Sequence, residues 1–169
     1  MCRLAPRGDP APTGDPGTDY GRSRRYLSAM RHDGQIELRP IGWVASPLTD
    51  PDDAPKQADE DAPGALIVLE SAFGEALKGV GPGDAILVFT WLDRASRDVL
   101  IVHPRGDRTR EPLGVFATRS PHRPNPIGLH RVRVVSIDGV RIRVDGLEAV
   151  DGTPVLDLKP VLSAAVGER

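Results

Sequence analysis

The residues best suited to chemistry lie in one proline-rich segment, residues 114–129, which reads GVFATRSPHRPNPIGL. Pro121, Pro124 and Pro126 remove three backbone donors and push the residues before them toward extended geometry, so neither a helix nor a central strand can run through. The sequence therefore predicts a stiff display loop that has little entropy left to lose on binding. Its polar side chains are Arg119, His122, Arg123 and Asn125. We interpret the segment as a ligand-binding loop; the alternative is an ordinary proline-rich surface turn.

A second polar cluster follows at residues 147–160, which read LEAVDGTPVLDLKP. It places four charged side chains around a turn, namely Glu148, Asp151, Asp157 and Lys159. One of these carboxylates is a candidate functional group. The alternative is a strand, a turn and a strand in which Asp151 caps its own backbone.

Charge is distributed unevenly along the chain. The net charge is −2 over 169 residues, which argues against a protein that coats nucleic acid through overall charge. Residues 97–133 nevertheless contain eight arginines against three acidic residues, a local excess of five positive charges around the proline-rich segment. This region fits an anionic partner, and a solvated basic face is the equal alternative.

Several classes of protein are disfavoured. Cys2 is the only cysteine, so a disulfide framework and a cysteine-based metal site are excluded. The four histidines lack the spacing of a zinc pair, and we predict no metal. No apolar run is long enough for a signal peptide or a membrane span, so we expect a cytoplasmic protein without a membrane partner. A dinucleotide-binding Gly-x-Gly-x-x-Gly between a strand and a helix is also missing.

The elements that must position these residues are mainly β. Short β-branched runs predict strands at 36–44, 65–69, 85–91, 99–102, 115–118, 132–137, 140–144 and 154–158. Asp138-Gly139 predicts the two-residue turn of a hairpin, and only 71–78 has a helical pattern. Many short strands with turns between them favour a single closed or nearly closed β-barrel with one short helix, because closure removes exposed edges.

The predicted domain occupies residues 36–162. Residues 1–35 are rich in Gly, Pro, Asp and Arg with little apolar periodicity, so we expect a disordered N-terminal tail. Residues 163–169 are expected to form a short C-terminal tail.

The segment at 114–129 and the stretch DGTPVLDLKP at 151–160 together closely resemble the TsaA-like family, also called TrmO or YaeB. IGWVASP at 41–47 is similar to the family's opening strand, so the resemblance covers the whole predicted domain. It implies a β-barrel methyltransferase that uses S-adenosylmethionine at a homodimer interface. The implied substrate is tRNA bearing threonylcarbamoyladenosine beside the anticodon, methylated on the exocyclic N6. Longer bacterial members carry a C-terminal domain that helps hold tRNA. This chain stops soon after Pro160, as the short members do, so we expect it to bind RNA through the barrel and its partner subunit.

The resemblance also implies a set of cofactor-binding positions. They are Pro55, Lys56, Gln57, Asp93, Arg94, Arg119, Leu129, Glu148, Ala149, Val150 and Asp151. Two of them depart from the family's usual residues: Lys56 stands for an arginine and Asp93 stands where a histidine is common.

Methyl transfer from a sulfonium is an in-line displacement that needs alignment more than acid–base machinery. We expect Glu148 or Asp151 to meet the cofactor's polar end or its cation. Asp151 or His122 is expected to accept the proton of the acceptor nitrogen. Arg119, Arg123 and Asn125 are the candidate substrate contacts, the arginines being suited to the threonine carboxylate. The alternatives are a methyltransferase of this fold with another acceptor, and a ligand- or RNA-binding module without catalysis.

Overall fold

Eight strands and three short 3-10 helices make up the computed structural model, which describes residues 36–55 and 60–162. The strands are β1 Gly42–Ala45, β2 Ala65–Leu69, β3 Ala85–Trp91, β4 Ile101–Val102, β5 Leu113–Gly114, β6 Ile127–Asp138, β7 Arg141–Asp145 and β8 Pro154–Pro160. The 3-10 helices are Ser71–Leu77, Pro104–Gly106 and Val115–Ala117. Among the described residues, no helix is long and apolar enough to cross a membrane.

Six of the strands form a closed ring of antiparallel pairs. The order is β1-β2-β7-β6-β3-β8, and β8 pairs again with β1. Strands β4 and β5 form a separate two-stranded ribbon. Irregular register between Phe89 and Thr90 and between Val134 and Ser136 interrupts the long pairings, and such bulges help a sheet to bend.

The core fills the inside of this ring because apolar side chains alternate along its strands. Buried aliphatic residues from all six strands meet there, including Val44, Ile67, Val88, Val132, Val134, Ile142, Val144 and Val155. The same alternation turns the arginines of β6 and β7 outward. The period of two that predicted the strands therefore also determines which residues line the interior.

The prediction of a mainly β protein is confirmed. The bounds of β2 and β3 match the predicted runs at 65–69 and 85–91, and the predicted helix at 71–78 is a 3-10 helix over Ser71–Leu77. The described residues from Leu38 onward belong to one compact unit. The predicted tails at 1–35 and 163–169 lie outside the described residues, and the proposed domain bounds stay a prediction.

Other predicted bounds are wrong. Residues 115–118 were expected to form a strand, but Val115–Ala117 is a 3-10 helix and the strand lies just before it, at Leu113–Gly114. β1 begins only at Gly42, after Pro40, which cannot donate to a strand ladder. β6 is longer than the predicted 132–137 because pairing with β3 begins directly after the last proline, at Ile127.

The hairpin between β6 and β7 exists, with its turn one residue later than predicted. Asp138 pairs with Arg141, so the two loop residues are Gly139 and Val140. Gly139 has a φ of 56° and Val140 is not among the residues with positive φ. A positive φ at the first loop position alone is typical of a type II′ turn, for which glycine is favoured.

Candidate functional site

One end of the strand ring brings the two polar segments of the sequence together. We define the ring end as the place where β1 and β3 finish and where β6 and β8 begin. The backbone N–H of Leu92 donates to Pro126 at 2.8 Å, which ties the proline-rich segment to the end of β3. The backbone N–H of Gly152 donates to Val44 at 2.8 Å, which places the β7–β8 loop against the end of β1.

Two buried polar side chains, Thr90 and His130, and the half-buried Glu148 form a polar chain at the ring end. Oγ1 of Thr90 and Nε2 of His130 are 2.9 Å apart. On the other side of the imidazole, Nδ1 of His130 lies 2.9 Å from Oε1 of Glu148. The N–H direction at Nδ1 departs from the line to that oxygen, so the contact has the separation of a charge-assisted hydrogen bond without its alignment. The three strand and loop segments are thereby connected through side chains.

Strand geometry explains how Thr90 and His130 of the polar chain come together. Thr90 faces Gly128 across the β3–β6 pair, and Val88 faces His130, so alternation sends Thr90, Gly128 and His130 to the inside. A Cβ on Gly128 would collide with Oγ1 of Thr90 and lie 2.7 Å from Nε2 of His130. Glycine at this position therefore leaves the space in which the hydroxyl and the ring meet.

Glu148 is an ionised carboxylate in a mostly enclosed position. Its burial raises its pKa, but contact with His130, the charge of that ring and the charge of Arg119 together outweigh burial, so the pKa of Glu148 lies below its ordinary value. Oε2 of Glu148 is buried and has no hydrogen-bond partner among the described residues. A buried anionic oxygen without a partner is costly, which makes it a candidate acceptor for a ligand.

The predicted display loop is held by its own polar side chains. Nδ1 of His122 accepts the backbone N–H of Ser96 at 3.0 Å, and the backbone N–H of Arg123 donates to the carbonyl of Ser96 at 3.0 Å. Because Nδ1 acts as acceptor, the neutral ring carries its proton on Nε2. His122 in this arrangement is a donor toward solvent, and the arrangement gives no support to its expected role as proton acceptor.

Arg123 is turned into the loop instead of projecting from it. Its Nη2 atom donates to the carbonyls of Val115 and Thr118, both at 2.6 Å. These two contacts connect the short 3-10 helix Val115–Ala117 to the proline-rich segment. The structure thus gives Arg123 a structural role, and its expected contact with tRNA stays a prediction.

Asp151 connects the β7–β8 loop to the chain that follows β1. Its Oδ1 atom accepts the backbone N–H of Ser46 at 3.1 Å, and its own N–H donates to the carbonyl of Leu48 at 2.7 Å. Arg94 reaches the same place, donating to the carbonyls of Thr49 at 3.0 Å and of Asp151 at 3.5 Å. Arg94 and Asp151 are therefore neighbours, and their expected contact with the cofactor stays a prediction.

The remaining predicted residues are spread around the ring end. Exposed residues are Asp93, Arg119, Asn125 and Leu129; Pro55 and Val150 are half-buried, and Ala149 is buried in the core. Lys56 and Gln57 lie outside the described residues. Asp157 is engaged elsewhere, because its Oδ2 atom lies 2.7 Å from Nζ of Lys159.

Several of the arginines in the basic region 97–133 are engaged within the protein. Arg105 pairs with Glu60 at 2.7 Å and Arg110 with Asp107 at 3.2 Å. Arg97 stacks over the Trp91 ring at 5.0 Å, and Arg133 donates to the carbonyl of Gly83. No group of three or more metal-ligating side chains occurs within residues 36–55 and 60–162.

Sequence reasoning missed Thr90, Gly128 and His130 as functional candidates. A signal for them exists, since all three lie at inward positions of β3 and β6, where the alternation calls for aliphatic residues. For Gly128 and His130 that signal depends on placing the start of β6 at Ile127, five residues before the predicted run at 132–137, whereas Thr90 lies within the predicted run at 85–91.

The polar chain has the order of a nucleophile, a base and an orienting carboxylate. Thr90 is nevertheless fully buried, and no substrate carbon can approach its hydroxyl. The group left for a ligand is Oε2 of Glu148, whose charge suits a cation or an N–H donor. S-adenosylmethionine carries both kinds of group, so the residues present fit that cofactor.

Comparisons with known proteins show the family to which the chain belongs. The family described as tRNA-methyltransferase O N-terminal domain matches residues 43–165. A probable S-adenosyl-L-methionine-binding protein of Methanothermobacter thermautotrophicus is 42% identical over 76% of this chain and 91% of its own length. One of Archaeoglobus fulgidus is 44% identical over 76% of this chain, and this chain spans only 34% of that relative.

A solved structure agrees as well. The crystal structure of TrmO from Pseudomonas aeruginosa superimposes with a TM-score of 0.62 at 31% identity, and the match covers 80% of this chain and 60% of that one. This chain therefore spans only part of that crystallised TrmO and only part of the Archaeoglobus fulgidus relative. On the extent of the family match and the identity to its relatives, this chain belongs to the family of the tRNA-methyltransferase O N-terminal domain, here called the TrmO family.

Proposed function

We propose that this protein is a methyltransferase that uses S-adenosylmethionine to methylate N6 of threonylcarbamoyladenosine in tRNA. The observation that carries the proposal is Glu148, an anionic side chain with a buried and unpartnered oxygen at the end of the ring. That oxygen lies where the two family motifs meet. Membership of the TrmO family supports the reaction type, and the names of the relatives support the cofactor.

The ring end supplies the groups that a sulfonium cofactor needs. Glu148 provides negative charge in an enclosed position, where it acts more strongly than in water. Arg94, Asp151 and the backbone of the β7–β8 loop form the adjoining wall. When bound, the cofactor supplies a methyl group on positively charged sulfur, and the protein's task is to align that group with the acceptor nitrogen.

The acceptor nitrogen must lose a proton as its new bond to carbon forms and the carbon–sulfur bond breaks. Of the two candidate bases, Asp151 has the better geometry, because its carboxylate is exposed and Oδ1 holds only a backbone N–H in the contacts described. Nδ1 of His122 is already an acceptor. We therefore assign proton acceptance to Asp151 and leave His122 to hold the loop.

Arg119 and Asn125 are the loop side chains free to face a substrate. Arg119 is exposed and its charge lowers the pKa of Glu148, which supports a position beside the proposed cofactor site. A guanidinium in that position suits the carboxylate of the threonylcarbamoyl group. We propose that this pair, with Arg123 holding the loop, contacts the modified anticodon region.

A homodimer in the cytoplasm completes the proposal. The β4–β5 ribbon and the helix after it expose apolar side chains, among them Leu100, Ile101, Leu113 and Phe116, the last at 83% exposure. Large apolar side chains exposed together on one small ribbon support its being covered by another protein. A second copy that covered it would approach the ring end through the loop that contains Phe116.

A methyl-transfer assay tests the reaction. The protein is incubated with S-adenosylmethionine carrying a labelled methyl group and with two preparations of one tRNA, which contain or lack threonylcarbamoyladenosine. We expect label only in the modified tRNA, located by mass spectrometry in the anticodon-loop nucleoside. Label in both preparations would point to another acceptor. Cofactor binding without transfer to either would favour a non-catalytic binding module.

A further inference from the structure

His130 is a buried titratable residue that the proposed reaction leaves without a task. It is 6% exposed and lies on the inner face of β6, surrounded along that strand by Gly128 and Val132. Its two ring nitrogens face different partners, Thr90 on one side and Glu148 on the other. Neither partner is adjacent to it in sequence, so the strand pairing and the β7–β8 loop create the arrangement.

The two partners of the His130 imidazole determine which of its nitrogens carries a proton toward Glu148. In the neutral ring, Nδ1 carries its proton toward the Glu148 carboxylate and Nε2 accepts a hydrogen bond from the Thr90 hydroxyl; in the protonated ring, Nδ1–H faces Glu148 as well. Thr90 therefore selects the tautomer that faces Glu148 correctly. The same logic holds metal-ligating and catalytic histidines in place through a second partner.

Two polar atoms of this cluster remain incompletely satisfied. Nδ1 of His130 is close to Oε1 without alignment, and Oε2 of Glu148 has no partner among the described residues. Such contacts are often loose before a ligand binds and tighten in the complex.

We propose that His130 is a positioning residue, which works through Glu148 to present one carboxylate oxygen to the cationic or N–H-donating part of the bound cofactor. This inference rests on the proposed function, because it takes S-adenosylmethionine as the ligand. It assigns His130, Thr90 and Gly128 a shared purpose: the glycine gives room, the hydroxyl sets the tautomer and the imidazole holds the carboxylate.

A purely structural histidine is the competing explanation. In that case, replacing His130 would lower stability, and any loss of cofactor affinity would be independent of Glu148. A positioning role predicts instead that the effect of His130 on affinity disappears once the Glu148 carboxylate has been removed. A double-mutant cycle separates the two, because it isolates the coupling between a pair of residues.

The experiment is a calorimetric titration of S-adenosylmethionine into the full chain and four variants. They are His130→Leu, His130→Asn, Glu148→Gln and the double variant His130→Leu with Glu148→Gln. Val134→Ala is the control, since it alters the same inner face of β6 away from the ring end. Thermal unfolding of every protein shows whether an affinity loss exceeds what lost stability explains.

We expect His130→Leu to weaken binding about tenfold in the wild-type background and less than about twofold in the Glu148→Gln background. His130→Asn retains an N–H donor on the Glu148 side and should recover part of the affinity. Equal losses in both backgrounds, or a loss matched by Val134→Ala at similar stability, would overturn the inference while leaving the proposed function intact. Failure of the wild-type chain to bind the cofactor would overturn both.

Discussion

The inner face of β6 has two halves that differ in chemistry. Val132 and Val134 are at most 3% exposed and belong to the aliphatic filling of the ring. Gly128 and His130 follow the same alternation but face the hydroxyl of Thr90 and the carboxylate of Glu148. Burying an ion pair costs several kcal/mol of desolvation, which aliphatic side chains avoid. The polar half is therefore better explained by ligand binding than by stability.

The largest effect is expected from Gly128→Ala, which takes the space in which the side chains of the polar half meet. The added Cβ would collide with Oγ1 of Thr90 and crowd His130, so the polar chain must shift. A displacement of about 1 Å at a site of this kind costs about a hundredfold in turnover. Methyl-transfer rates measure the change. Gly81→Ala is the matched control, because a Cβ there meets nothing within 4 Å, and equal activity of the two variants would contradict the assignment.

A smaller effect is expected from Arg123→Ala, which loosens the loop beside the polar half. The change removes the contacts of Nη2 with two backbone carbonyls, each of which is a charge-assisted hydrogen bond. We expect faster hydrogen exchange over residues 115–123 and about tenfold weaker binding of both cofactor and tRNA. Exposed Arg108→Ala is the control. Unchanged hydrogen exchange together with a selective loss of tRNA binding would contradict the structural role and support the predicted contact of Arg123 with the substrate.

Val134→Ala should affect stability without affecting the site. Truncating this buried side chain removes packing from the aliphatic half and costs about 2 kcal/mol of the free energy of unfolding. Cofactor affinity should stay within about twofold of the wild type, since the change lies away from the ring end. Chemical denaturation and titration measure the two quantities, and a large affinity loss would show that the halves are not independent.

The smallest effect is a pH dependence of stability that Glu148 confers on the polar half. Because the pKa of Glu148 is lowered in the folded protein, its ionised form stabilises the fold above its ordinary pKa near 4.5. This contribution is lost as the pH falls through the lowered value. The difference in free energy of unfolding between the wild type and Glu148→Gln should therefore shrink from about pH 6 to about pH 3. A difference that stays constant with pH would show that the carboxylate is not stabilised by its neighbours.

The comparison of the two halves also shows what the sequence reveals and what it conceals. The aliphatic half is recognisable in the sequence because its apolar residues alternate, and this pattern predicted a strand from Val132 to Ile137. The polar half escaped notice because Gly128 and His130 interrupt the apolar pattern and follow directly on a proline-rich segment. Glu148 and Asp151 were identified through the family resemblance, but their partners His130 and Ser46 lie far away in sequence, and only the fold connects them. Arg123 was expected to project because sequence does not show that nearby carbonyls capture its guanidinium.

A crystal structure of the protein with S-adenosylmethionine tests the central claim most directly. The account predicts that the cofactor lies at the ring end, with a cationic or N–H group within hydrogen-bonding distance of Oε2 of Glu148 and with Nδ1 of His130 aligned on Oε1. Cofactor bound away from Glu148, or a carboxylate that still leaves Oε2 without a partner in the complex, would contradict it.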